Sequence, residues 1–200
     1  MKILHLIIFT LVAITVMSCL NESIDGECCG NEFFPLNVGD KFLYRISDVY
    51  GIYQYNHTIG EEVVIKVTHI VDTLGKKYYE IENYYVPEGF SNTTAYVRTD
   101  KNSVYFLAGN KEVLYYQLDV PEGSFYKVPY RTNIDPDDDE YNWTTYIQVL
   151  ERDKSHILFW HNAFLTDMEQ YVRLERGKGR TQVFIDNWVR IRYDLVKVYR

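Results

Sequence analysis

The stretch EEVVIKVTHIVDTLGKKYYEIENYYV, residues 61–86, alternates apolar and polar side chains on either side of one break. Over residues 61–72, Val63, Ile65, Val67, His69 and Val71 fall on one face of an extended chain, the period of two that marks a half-buried strand. Over residues 77–86, Tyr79, Ile81, Asn83 and Tyr85 fall on one face, and Tyr78, Glu80, Glu82 and Tyr84 on the other. Thr73-Leu74-Gly75-Lys76 between them has the glycine and the brevity of a hairpin turn, so the segment reads as a β-hairpin.

Outward from this hairpin the pattern continues. Upstream, residues 41–47 place Phe42, Tyr44 and Ile46 at alternate positions. Downstream, strands are expected over residues 94–99, 104–107, 112–118, 143–151, 156–164, 170–175, 180–185 and 189–199, separated by turn clusters such as Asp100-Lys101-Asn102 and Ala108-Gly109-Asn110. A spacing of about ten residues belongs to an antiparallel sandwich or barrel. The segment 156–164 also invites a helix, but Ile157, Phe159 and Trp160 are poor helix formers, so it reads as strand.

Composition agrees with an all-β fold. The chain has 200 residues, 46% hydrophobic and 24% charged, enough for one globular domain. Its 19 Tyr and 10 Phe favour pleated, half-buried surfaces over helices. No internal repeat and no second linker interrupts residues 33–200, which read as one domain. With 21 Lys and Arg against 28 Asp and Glu the net charge is -7, opposite to the basic stripe of a phosphate-backbone binder, so nucleic acid is excluded as a partner.

The first residues read as an address. Lys2 followed by the apolar run of residues 3–17 has the order of an export signal, and the run is shorter than the about 20 residues of a membrane span before Asn21 and Glu22 intervene. Val16-Met17-Ser18-Cys19 resembles the bacterial lipobox, in which the cysteine is lipidated and becomes the mature N-terminus. The competing reading is an ordinary cleaved signal. The expected organisation is a lipoprotein signal peptide over 1–18, a lipidated flexible tether over 19–32 and an antiparallel β domain over 33–200. A diacylglyceryl thioether on Cys19 plus an N-acyl chain would bury dozens of methylenes at about 0.8 kcal/mol each, so the lipid bilayer is an expected partner. Loss of residues 1–18 removes Lys2 and no acid, which leaves the lipid and not a basic face to hold the anchor.

Residues 20–32, LNESIDGECCGNE, are polar, acidic and broken by glycine, and at about 3.3 Å per residue they reach roughly 40 Å. The adjacent Cys28 and Cys29 bridge each other only through a strained ring, which leaves intermolecular pairing or free thiols, and they lack zinc-ligand spacing. Sequons at Asn21, Asn56, Asn92 and Asn142 carry meaning only in a eukaryotic secretory route.

Nothing in the sequence carries a catalytic or cofactor signature. No G-x-S-x-G elbow occurs, and His57, His69, His156 and His161 show no metal-binding spacing, so no cofactor and no metal centre are expected and the reading is non-enzymatic. His156 and His161 fall on opposite faces of their strand. Asp135, Asp137 and Asp139 match the first ligands of a calcium loop, but Glu140 and Tyr146 stand where an EF-hand needs Gly and Glu. A solvated acidic loop is the expected state, with these aspartates a weak calcium candidate. Arg176-Gly177-Lys178-Gly179-Arg180 lacks the strand-to-helix context of a phosphate loop and reads as a glycine-rich hairpin turn with solvated bases.

Tyrosines stand on both faces of several strands: Tyr50, Tyr53 and Tyr55, then Tyr78, Tyr79, Tyr84 and Tyr85, then Tyr115 and Tyr116. A sheet needs one apolar face for its core, so the second face is a candidate stacking platform for a glycan or peptide, with Tyr78, Tyr79, Tyr84 and Tyr85 as its ligand-binding aromatics. The plainer reading is that tyrosine is an ordinary strand residue whose hydroxyl stays wet.

Phe34-Pro35-Leu36-Asn37-Val38-Gly39-Asp40-Lys41-Phe42-Leu43-Tyr44 resembles the "FPLxxGxxWxY" opening of uncharacterised exported lipoproteins of Bacteroidetes and related bacteria, with Phe42 in place of the usual Trp. Val113-Leu114-Tyr115-Tyr116, Val120-Pro121-Glu122-Gly123-Ser124-Phe125 and Gly177-Lys178-Gly179 are further echoes. The resemblance implies a single antiparallel, strongly curved sheet, a half-barrel or sandwich-like, in a lipid-anchored protein of the bacterial cell envelope on its outer membrane; it implies no activity. Two functional readings follow. One is a membrane-tethered, non-catalytic binding or assembly module that meets an envelope protein or glycan; the other is a carrier or chaperone for an apolar ligand in a curved-sheet cavity. An envelope hydrolase stands third.

Overall fold

A computed structural model of the chain describes residues 31–51, 58–84, 94–129, 144–163, 168–186 and 189–200. Among them the secondary structure is all β: β1 (Lys41–Gly51), β2 (Glu62–Thr73), β3 (Lys76–Glu82), β4 (Ala95–Thr99), β5 (Ser103–Ala108), β6 (Lys111–Gln117), β7 (Phe125–Pro129), β8 (Thr144–Arg152), β9 (His156–Ala163), β10 (Met168–Glu175), β11 (Gly179–Asp186) and β12 (Val189–Tyr199). They form one antiparallel sheet in the order β6-β5-β4-β3-β2-β1-β12-β11-β10-β9-β8-β7, as the alternation of apolar side chains predicts. Every strand pairs with its chain neighbour except β6 and β7, and β1 closes onto β12, which bends the sheet nearly into a barrel.

The β2–β3 hairpin turns on Leu74 and Gly75, with φ of 54° and 68°. Both signs are those of a primed two-residue turn, whose twist matches the strands it joins. Past it, two details differ from the plain alternation. A bulge between Val67 and His69 flips the phase of β2, so His69 and Val71 pair with the outward Glu80 and Tyr78 while Ile70 faces Tyr79. β3 ends at Glu82, because Asn83 takes a left-handed φ of 59° and removes itself and Tyr84 from the ladder.

The inner face is a continuous apolar core. Ile46, Val97, Val104, Ile147, Val149, Ile157, Phe159, Val172, Leu174 and Val183 are completely buried, with the pairs on β8, β9 and β10 at alternate positions. Outward positions carry Arg45, Glu62, Lys66, Arg173, Gln182 and Arg192. This sense, apolar in and polar out, is the reverse of a barrel that spans a bilayer.

One end of the barrel is sealed by the segment that precedes β1. Phe33, Phe34 and Leu36 are buried, and Phe34 lies 6.4 Å from the Tyr84 ring and 6.5 Å from the Tyr116 ring. Asn31 orients the plug: its Oδ1 accepts from the backbone N–H of Phe33 at 2.8 Å and of Phe34 at 3.2 Å. Its Nδ2 donates to the carbonyls of Asp100 at 2.6 Å and Lys101 at 3.1 Å. The backbone of Glu32 accepts from Gly177 at 2.6 Å and its carboxylate pairs with Arg176, so Asn31 and Glu32, expected within the tether, pack against the barrel.

Between β6 and β7 the seam is held without a ladder. The Tyr126 hydroxyl accepts from the Gln117 N–H at 3.2 Å, Arg152 donates to the Leu118 carbonyl, and the Tyr116 and Phe159 rings lie 4.8 Å apart across the interior. The β10–β11 turn is glycine-rich as expected, with φ of 75° at Gly177 and 84° at Gly179. Arg180 is not one of its solvated bases. It points inward, 3% exposed, donates to the Tyr84 carbonyl at 2.7 Å and lies 4.1 Å from the Tyr84 ring centroid. Phase decides this: Arg180 pairs with the inward Leu174.

Candidate functional site

The register of β7 to β11 lines up large outward side chains. Phe125 pairs with Gln148, Gln148 with Trp160, Trp160 with Tyr171, and Tyr171 with Phe184, so one transverse row of the outer wall carries Phe125, Trp160, Tyr171 and Phe184. Each residue stands opposite in phase to a buried neighbour such as Phe159 or Val172 and therefore faces out. Tyr171 and Phe184 are 5.8 Å apart at 39°, and at the sheet edge Phe125 stacks on Tyr146 at 5.2 Å and 17°. Lys127 places its ammonium 5.1 Å from the Tyr146 ring. Phe125 is 56% exposed, and Trp160, Tyr171 and Phe184 are half-buried. The Tyr171 hydroxyl donates to Glu169 at 2.9 Å, and burial together with that carboxylate pushes its pKa up.

A polar row adjoins this aromatic one. Two residues along the same strands, on the same face, stand Arg173, Gln182 and Asp194; with Glu175, Lys178 and Leu195 they line a surface groove of about 300 Å³. Gln182 Nε2 donates to Asp194 Oδ1 at 2.8 Å, Arg192 Nε to the same oxygen at 3.1 Å, and Ser47 to the other carboxylate oxygen. Burial opposes the Asp194 charge, but these hydrogen bonds outweigh it and hold the pKa below the usual carboxylate value. Glu175 accepts from Lys178 at 2.8 Å, which lowers its pKa likewise. The wall thus presents fixed donors, two ionised acceptors and aromatic faces side by side.

The tyrosines expected to form a platform do not do so. Tyr79 and Tyr84 belong to the core, at 8% and 4% exposure: Tyr79 shares the inward phase of Ile81, and Tyr84 follows the left-handed Asn83 that ends β3. Tyr78 faces out yet is fully buried beneath a charged cluster. Its hydroxyl donates to Glu112 at 2.6 Å, while Lys76 reaches the same carboxylate at 2.7 Å and Arg98 Nε at 2.7 Å. Burial opposes the Glu112 charge, and the bonds from Arg98, Lys76 and Tyr78 prevail and hold its pKa at about 2. We expect Glu112→Gln to cost about 1–2 kcal/mol in urea unfolding at pH 7, a discounted figure because Lys76 is half exposed. An unchanged midpoint would mean that packing alone covers Tyr78.

Tyr85, Cys19, Cys28, Cys29, Asp135, Asp137 and Asp139 lie outside the described residues. Among the described residues no group of three His, Cys, Asp or Glu is placed to hold a metal ion. Sequence reasoning did not find the row of Phe125, Trp160, Tyr171 and Phe184. The available signal was phase, since each alternates with a strand's aliphatic face; their alignment across strands comes from register.

At the plugged end the described residues leave little room. Beneath the plug, Phe34, Leu36, Phe42, Tyr44, Tyr84 and Arg180 enclose a cavity of about 20 Å³. That is close to the volume one water needs. Deeper in, His161 is 4% exposed between the Tyr115 ring at 5.8 Å and the Tyr116 ring at 5.6 Å, and neither ring nitrogen has a hydrogen-bond partner among the described residues.

Fold and site together define a plugged, nearly closed antiparallel β-barrel whose accessible polar and aromatic surface lies on its outer wall. No family model matches the chain, and no curated protein matches it. Among solved structures it is similar to a provisionally assigned exported protein from Bacteroides fragilis with a YmcC-like fold, at 9% identity and a TM-score of 0.41, over 85% of this chain and 100% of that one. It is likewise similar to a provisionally assigned lipoprotein from Parabacteroides distasonis, at 7% identity and a TM-score of 0.42, over 85% of this chain and 99% of that one.

Proposed function

We propose that the protein is a membrane-tethered, non-catalytic binding module of the bacterial cell envelope, anchored through lipid on Cys19 and making its contacts through the outer wall of β7 to β12. The observation that carries this reading is the sealed and closely packed end of the barrel among the described residues. Phe33, Phe34 and Leu36 seal one end, and the cavity below them measures only about 20 Å³. A carrier of apolar ligands needs a concavity on the scale of ~300 Å³ or more. The outer groove has that scale and is lined by groups suited to recognition. It also starts at the β10–β11 turn, where Gly177 meets Glu32, so Glu32, the last residue of the expected tether, lies beside the groove. Tethering raises local concentration, so a modest contact is occupied.

Three measurements test the reading. Full-length protein should partition into the detergent-rich phase, and Cys19→Ala should move to the aqueous phase or stall unprocessed; equal partitioning of the two would refute the anchor. Crosslinking in intact envelopes should capture a specific partner at the β7–β12 wall. Turnover of a hydrolase substrate by the purified protein, lost on changing one acidic or histidine residue, would refute the non-catalytic reading.

A further inference from the structure

We infer that the outer groove and the aromatic row beside it form one site for a neutral glycan chain; this deepens the binding-module reading and rests on it. The polar floor and the aromatic border share strands. Tyr171 and Arg173 stand two residues apart on β10, and Phe184 and Gln182 two apart on β11, all facing outward. A ligand lying across these strands meets both rows at once.

Charge selects the ligand class. The groove sets Arg173 and Lys178 against Glu175 and Asp194, a balanced set on a chain whose net charge is -7. A phosphate or polyanion finds no excess of base there, and a cation finds its acids already engaged by Lys178, Gln182 and Arg192. A hydroxyl both donates and accepts, so a polyol can use carboxylate, amide and guanidinium groups together. The core of a protein–protein interface is depleted of charge. This groove has charged and amide side chains at its centre, which favours a hydroxyl-rich chain over a folded partner.

The aromatic row supplies the rest. A pyranose ring has an apolar C–H face, which packs on an aromatic ring while its equatorial hydroxyls point sideways. Trp160, Tyr171 and Phe184 come from three adjacent strands, and strands repeat every 4.7–4.9 Å, so the row offers successive apolar surfaces to successive sugar units. Tyr171 is pinned by Glu169, and Asp194 by Ser47, Gln182 and Arg192, so little side-chain freedom is lost when a ligand arrives.

The test is calorimetric titration of the full-length protein in lauryldimethylamine oxide, a detergent without a sugar. Its ligands are the neutral hexasaccharides of cellulose, maltose, mannan, xylan and chitin, with polygalacturonate as the anionic control. At least one neutral hexasaccharide should bind, with affinity unchanged between 0.05 and 0.5 M NaCl. Phe184→Leu and Tyr171→Leu keep an apolar strand residue and remove the aromatic face; each should weaken binding about tenfold, the equivalent of one aromatic contact. Gln182→Ala should weaken it similarly, and Lys101→Ala, on the exposed β4–β5 turn outside the β7–β12 patch, should not. Absence of binding by every neutral member, a steep salt dependence, or full affinity in both leucine variants overturns the glycan site. If envelope crosslinking then recovers a protein partner that the same leucine variants lose, the binding-module reading stands and the glycan assignment falls; if neither ligand nor partner is found, both fall.

Discussion

Acidification from pH 6.5 to pH 3 is expected to cost the folded state up to about 5 kcal/mol through one side chain, His161. The imidazole is buried inside the barrel, and burial first, then the positive charge of Arg180, pushes its pKa down from 6.5 to about 3. The unfolded chain takes up the proton near pH 6.5 while the folded chain refuses it until about pH 3. The neutral form therefore contributes its full stability above pH 6.5 and loses it steadily as the pH falls. Depressed carboxylates such as Glu112, whose pKa drops from 4.5 to about 2, lose their contribution only below pH 4.5. Between pH 6.5 and 5 the slope thus belongs to histidine and amounts to about 2 kcal/mol. Urea midpoints measured across that window should fall for the native sequence and stay flatter for His161→Leu, which keeps an apolar group against Tyr115 and Tyr116. Parallel slopes for the two proteins would show that His161 is not buried neutral.

Phe34→Ala should cost about 3–5 kcal/mol and lower the thermal midpoint by about 10 °C. Phe34 lies before the first strand, where a truncation would ordinarily be harmless. Here its ring is 3% exposed and packs near Tyr84, just past β3, and Tyr116 on β6, residues 32 apart in the chain. Removing it opens a void beside the cavity already present under the plug. The surroundings collapse poorly, because Asn31 fixes the plug backbone through four hydrogen bonds. Phe34→Leu should recover most of the loss by refilling the volume. A change under 1 kcal/mol in Phe34→Ala would mean that the plug is a docked tail and not part of the core.

Much of the fold was visible as strand periodicity. Eleven of the twelve strands lie where alternation places them, within a few residues at each end. The exception is β7, FYKVP, which is five residues long, follows Pro121-Glu122-Gly123 and ends on proline, so its local signal is that of a loop. It becomes a strand because β8 supplies a ladder from Phe125–Gln148 to Pro129–Thr144. His156 and His161 do fall on opposite faces, as a period of two requires. The tyrosines were less readable. In β3, Ile81 against Glu80 and Glu82 marks the Tyr79 face as the inner one, but nothing local shows that Glu112 of β6 covers Tyr78, and a bulge at Thr68 on the neighbouring strand is not encoded by any glycine.

By itself the sequence determined that the chain alternates, where it turns, and that two faces of each strand differ in polarity, because these depend on residues one or two apart. Only the tertiary structure decided which face closes on the core, since curvature and register arise from pairing between distant strands. That pairing buries Arg180 from a glycine-rich turn, draws Tyr79 and Tyr84 inside, and covers Tyr78 with Glu112. It also collects Phe125, Trp160, Tyr171 and Phe184 into one row on the outer wall, a neighbourhood that spans about sixty residues of chain and exists only once the ladders are in register.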